Sequence, residues 1–171
     1  RALALAKHAA RLSGDDPLAL TMLGAAHTIV RELPMAVIQL ERALHLDPNS
    51  ALAWNRSGWL NSYLGRSELA IEHFQKAMAL SPLDPMNFNC HFGIGGACFV
   101  MGRYEDALTA IDRGLADRPQ ALWIYRQKIP ALWHLGRHAE ARAAVRELLT
   151  AYPDLTVTGV REVMVYEDEV L

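Results

Sequence analysis

The chain has 171 residues, 51% of them hydrophobic, with seven histidines, two cysteines and a formal net charge of −2. That length and apolar content suffice for one continuous core and leave no stretch for a second globular domain. The near-neutral charge supplies no basic footprint, which argues against nucleic acid and anionic membrane surfaces as partners.

In chain order, residues 1–16 open on a helical pattern, RALALAKHAARL, that ends at Gly14. Helix pairs are then predicted over 17–30 and 34–46, 51–64 and 67–80, 87–101 and 104–116, and 121–135 and 138–151, from apolar residues at helical spacing. Pro48, Pro82, Pro119 and Pro153 stop the second helix of each pair, because proline lacks an amide proton and clashes with the preceding turn. Gly65, Gly102 and Gly136 stand where first helices end and a left-handed residue is needed. The turn of the first pair departs from this pattern, with Arg31 and a helix-starting Pro34. Glu68, Glu105 and Glu140 follow the turns near the starts of second helices, where the helix dipole favours them. Residues 85–102 carry no charge, but Asn87, Asn89, His91 and four glycines make them a buried first helix rather than a membrane span.

The pairs repeat with a fixed period. Gly24 recurs at Gly58, Pro48 at Pro82, Gly102 at Gly136 and Pro119 at Pro153, each at an interval of 34 residues. Within the unit that starts at Ala51, Trp54, Gly58, Gly65, Ala70, Phe74, Ala77 and Pro82 fall at offsets 4, 8, 15, 20, 24, 27 and 32. This set resembles the tetratricopeptide repeat (TPR) family almost position for position. The resemblance implies an all-α fold, a right-handed α-α superhelix whose helix pairs bury their faces by stacking on neighbours. It implies a single TPR domain: 1–16 as the second helix of a truncated repeat, repeats at 17–50, 51–84, 85–121 and 122–155, and 156–171 as a C-terminal capping helix and truncated tail. The third repeat holds a three-residue insertion in PLDPMNF, and the fourth places Ile129 where a small residue is usual, which predicts looser helix packing there.

In TPR proteins the first helix of each repeat lines the concave face, chiefly through offsets 2, 5, 9, 12 and 13. Carried onto this chain, that implies a partner-binding groove made by Asn55, Trp59, Tyr63, Asn89, Phe92, Phe99, Trp123, Arg126, Trp133 and His134. Large aromatics with an arginine and asparagines anchor peptide or protein partners, because they bury much area at little entropic cost and orient backbone amides. The competing reading has some aromatics packing internally, with Trp123 and Trp133 against the C-terminal helix. The positions by which some TPR proteins clamp a C-terminal carboxylate hold Thr21, Ala25, Arg56, Asn89 and Gly93, so that ligand is not implied.

Catalytic chemistry finds little support. Gly93, Gly95 and Gly96 match no phosphate-loop pattern. His134 and His138 have metal-ligand spacing, but Gly136 interrupts the helix between them. Cys90, His91 and Cys98 read as packing residues, and the two cysteines lie too far apart along one helix to bridge. The expectation is a non-enzyme with no cofactor and no metal, in a reducing, cytoplasmic compartment.

The segment SALAWNRSGWLNSYLGRSELAIEHFQKAMALSPLDPMNF and the tail DLTVTGVREVMVYEDEVL together resemble the C-terminal TPR region of bacterial class III adenylate/guanylate cyclases and of related winged-helix regulators. The resemblance implies a protein-interaction and regulatory module beside an output domain, with a peptide, a protein partner or that neighbouring domain in the groove. The alternative is a structural or homodimerisation scaffold with no separate ligand. The cyclase domain itself is not in these residues.

Overall fold

A computed structural model describes residues 1–156, 158 and 159. The expected capping helix and tail at 156–171 fall almost wholly outside the described residues. Helix α1 spans Ala2–Ser13. The pairs that follow are α2 (Pro17–Ile29) with α3 (Leu33–Leu46), α4 (Ala51–Tyr63) with α5 (Ser67–Leu80), α6 (Asn87–Val100) with α7 (Tyr104–Asp117), and α8 (Tyr125–His134) with α9 (His138–Ala151). The chain forms two compact units, one holding Arg1–Leu83 and the other beginning at Asp84, inside the three-residue insertion. No described helix is long and apolar enough to cross a membrane.

In the first unit α1 packs on α2, α2 on both α3 and α4, and α4 on α5. In the second, α6 packs on α7, α8 on α9, and α7 on α8. Two first helices start on a side-chain cap: Asp16 accepts from the Ala19 amide at 2.7 Å with Pro17 following, and Ser50 accepts from the Ala53 amide at 3.2 Å. Within three pairs the second helix drives a bulky side chain onto a glycine. A Cβ on Gly24 would stand 2.6 Å from Leu40, one on Gly58 2.7 Å from the Phe74 ring, and one on Gly95 2.7 Å from Ile111. Leu40, Phe74 and Ile111 are accordingly almost fully buried. The fourth pair has Ile129 in place of the glycine, and Val145, the counterpart of Phe74, stays 36% exposed.

All four turns inside the pairs share one geometry. In the second pair the Arg66 amide bonds to Asn61 O at 2.9 Å and the Gly65 amide to Ser62 O at 3.2 Å, the paired bonds of a Schellman motif. Gly65, Gly102 and Gly136 take φ values of 72°, 74° and 73°. Arg31 takes the same place at 62°, with the Glu32 amide on His27 O at 3.0 Å, so the departure in sequence is not a departure in structure. The predicted single helix over 121–135 is not observed. A short 3-10 turn, Leu122–Ile124, precedes α8. Its repeat of three puts Ala121 and Ile124 on one side, and both are buried.

Candidate partner-binding surface

In the first unit the surface is built from α2 and α4. On α2, Leu18, Met22 and Ile29 are 60%, 47% and 70% exposed, with half-buried Ala25 between them. The steps of four, three and four residues lay these side chains along one stripe of a helix. The same steps on α4 give Leu52, Arg56, Trp59 and Tyr63. These two helices carry one permanently charged residue between them, Arg56, whose Nε is buried without a hydrogen-bond partner. The Trp59 ring stands edge-on to Phe74 at 5.5 Å and 5.9 Å from Tyr63, which fixes both rings on the α4 backbone. Asn55 is half-buried on the same helix.

Offset counting errs here in two ways. Offsets 5 and 12 fall on Thr21, Thr28 and Ser62 in the first two repeats, and these are buried and donate their hydroxyls to carbonyls of their own helices, Pro17 O, Gly24 O and Gly58 O, at 2.7, 2.9 and 3.1 Å. The offsets miss Met22 and Arg56. The four-three-four spacing of apolar residues on α2 was the signal for the first of these.

In the second unit, Phe92 is fully buried and does not line a groove. Gly114 on α7 stands where the first two repeats have Ala43 and Ala77, and a Cβ there would lie 2.5 Å from the Phe92 ring. The missing methyl makes the space that the ring fills. Phe92 in turn meets the Trp123 ring edge-on at 5.2 Å, and the Arg126 guanidinium lies 5.1 Å from the Trp123 centroid. Trp123 and Arg126 open onto a half-enclosed cavity of about 330 Å³ completed by Leu148, Tyr152 and Leu155. Arg126 Nε is buried with no hydrogen-bond partner.

Asn89 and Phe99 are half-buried on α6. His134 stacks on Tyr104 at 4.5 Å and 3°, with Phe99 6.1 Å away, whereas the 54% exposed Trp133 ring turns to His138 at 4.3 Å. The structure thus brings together Trp59 with Tyr63, Trp123 with Arg126, and Phe99 with His134. The Tyr125 hydroxyl donates to Glu147 at 3.0 Å, and burial reinforced by that carboxylate pushes the phenol up to about 12. Among the described residues no three His, Cys, Asp or Glu side chains gather to hold a metal. Cys90 and Cys98 are buried and form no disulfide with one another, and burial pushes the Cys98 thiol up, away from reactivity.

Family models described as tetratricopeptide repeat match residues 51–82 and 99–155. The chain carries tetratricopeptide repeats. The peroxisomal targeting signal receptor of Candida albicans is 27% identical over 112 residues, which is 66% of this chain and 18% of that relative, so the chain spans about a fifth of its length. Among solved structures, MamA superposes with a TM-score of 0.69 at 21% identity, covering 86% of this chain and 85% of that one. Residues 41 to the end of MamA from Desulfovibrio magneticus RS-1 give 0.70 at 20% identity, covering 86% and 82%. PilF of Pseudomonas aeruginosa gives 0.73 at 17% identity, covering 85% and 65%. These likenesses carry the fold: an all-α TPR solenoid of the α-α superhelical class.

Proposed function

We propose that this TPR chain is a non-catalytic protein-interaction module that takes a peptide or partner segment on the first-helix surface. The observation that carries the reading is the exposed stripe of Leu18, Met22 and Ile29 on α2 beside Arg56, Trp59 and Tyr63 on α4. Repeat stacking buries the other faces of both helices and does not require this one to be apolar. The Trp123 and Arg126 cavity offers the second unit's contact, an apolar hollow with a guanidinium at its wall. The peroxisomal receptor, by its name, recognises a targeting signal, and a peptide ligand here accords with that.

Attachment to a nucleotide cyclase or winged-helix output domain of a bacterial, cytoplasmic signalling protein rests on the residue resemblance alone. A homodimerisation scaffold is the second reading, favoured by the four-three-four spacing on α2, which also suits a second copy of the same helix. The test is a Met22→Asp, Ile29→Asp variant. Both side chains are exposed, so circular dichroism and melting temperature should match the parent, while the affinity for a captured partner falls by about 2 kcal/mol or more. Equal affinity of variant and parent would sink the groove reading. Loss of a dimer in sedimentation, with no partner lost, would select the scaffold.

A further inference from the structure

We propose that the first unit also holds a small-molecule site, between α3, α4 and α5, that takes an apolar α-amino acid. A half-enclosed cavity of about 320 Å³ opens there, at the lower end of the range for small-molecule sites, roughly 300–1,000 Å³. Leu40, Leu44 and Leu60 give it apolar walls together with the Trp54 indole, whose Nε1 donates to Pro48 O at 2.8 Å and so presents only its ring.

Its buried end is polar. His73 Nδ1 lies 3.0 Å from Ser57 Oγ and 3.4 Å from Asn61 Nδ2, while Asn61 Nδ2 also donates to Ser57 O at 2.8 Å. The Asn61 amide nitrogen can only donate, so its contact makes Nδ1 the acceptor and assigns the imidazole proton to Nε2, and the Ser57 hydroxyl then donates to Nδ1 as well. That Nε2–H makes no hydrogen bond among the described residues. Burial lowers the His73 pKa against the opposing pull of Glu72, so the ring remains a neutral donor.

Repeat stacking does not ask for this trio. The equivalent positions are Leu23, His27 and Gln39 in the first repeat, Ile94, Cys98 and Ala110 in the third and Lys128, Leu132 and Ala144 in the fourth, so none of them repeats the set. Ser57 and Asn61 are buried and satisfied by the bonds above, while the ring of half-buried His73 stands edge-on to Trp54 at 4.8 Å, and its Nε2–H is the donor left for a ligand acceptor. Glu41 and Arg66 also line the cavity, and neither joins an ion pair among the described residues. An apolar α-amino acid answers every one of these groups. Its carboxylate meets Arg66 and the His73 Nε2–H, its ammonium meets Glu41, and its side chain lies against the leucines and the indole.

The experiment is calorimetry and thermal melting of the whole chain with L-leucine and L-phenylalanine, and with leucinamide and N-acetylleucine, which lack the carboxylate and the ammonium in turn. The free amino acids should raise the melting temperature, and removing either charge should weaken binding about tenfold or more. Arg66→Gln and Glu41→Gln alter exposed side chains, so they should keep the unliganded melt and lose binding by the same factor. Leucinamide should be indifferent to Arg66→Gln. No shift with any free amino acid, or equal binding by both variants and the parent, overturns the proposal. Neither outcome touches the partner surface on α2 and α4.

Discussion

Phe92 and Gly114 form a volume exchange inside the third repeat, and its energetics are testable. An alanine at 114 gains helix propensity of about 1 kcal/mol over glycine. Its Cβ would also meet the Phe92 ring at 2.5 and 2.6 Å and the Phe88 carbonyl oxygen at 3.0 Å. A ring edge and a backbone atom cannot both yield, so overpacking of about 1–3 kcal/mol prevails and Gly114→Ala should destabilise. Phe92→Leu with Gly114→Ala should recover part of the loss, with a coupling of about 1 kcal/mol or more in the four-protein cycle of urea midpoints. Additive midpoints would show that the two positions do not exchange volume. The same pair explains why offset counting sent Phe92 to the groove. An offset fixes the direction of a side chain but not the space that a substitution on the facing helix opens for it.

At the scale of the helix and its turn, sequence and structure agree closely. The 34-residue period, the prolines and the turn glycines locate α2 to α7 and α9 to within a residue or two at each end. Only α8 starts late, because its opening turn follows buried Ala121 and Ile124 rather than helical periodicity. The candidate surface was less legible. Trp59 and Tyr63 could be read from offsets, but the exposure of Met22 and Arg56 depends on how neighbouring helices cover one another. The turns allow a clean measurement of backbone cost. Gly136 has φ 73° and nothing within 4 Å of its missing Cβ, so Gly136→Ala should lose about 1–2 kcal/mol through the left-handed conformation alone. An unchanged urea midpoint would mean the turn relaxes to another geometry, as Arg31 shows it need not.

Across the whole molecule, two histidines couple stability to acidity. Burial lowers the pKa of His73 in the first unit and of His91 in the second; Asp117 opposes the effect at His91 and Arg113 adds to it. The unfolded chain therefore takes up these protons first as pH falls. Their contribution to stability is full above the unfolded value of 6.5 and is lost as pH drops through the lowered folded values. Melting temperature should fall between about pH 7 and about pH 5, and His73→Gln with His91→Gln should flatten that slope. A slope unchanged in the double variant would assign the acid sensitivity to other groups.

The near absence of charge on α2 and α4 has a kinetic consequence. With Arg56 as their one permanent charge, these helices project little field beyond the Debye length. A partner arriving there is not steered, so encounters proceed at about 10⁵–10⁶ M⁻¹s⁻¹ and change little with ionic strength. On the proposed surface, discrimination between partners would then reside in how long each remains bound, through the fit of its side chains against Met22, Ile29 and Trp59.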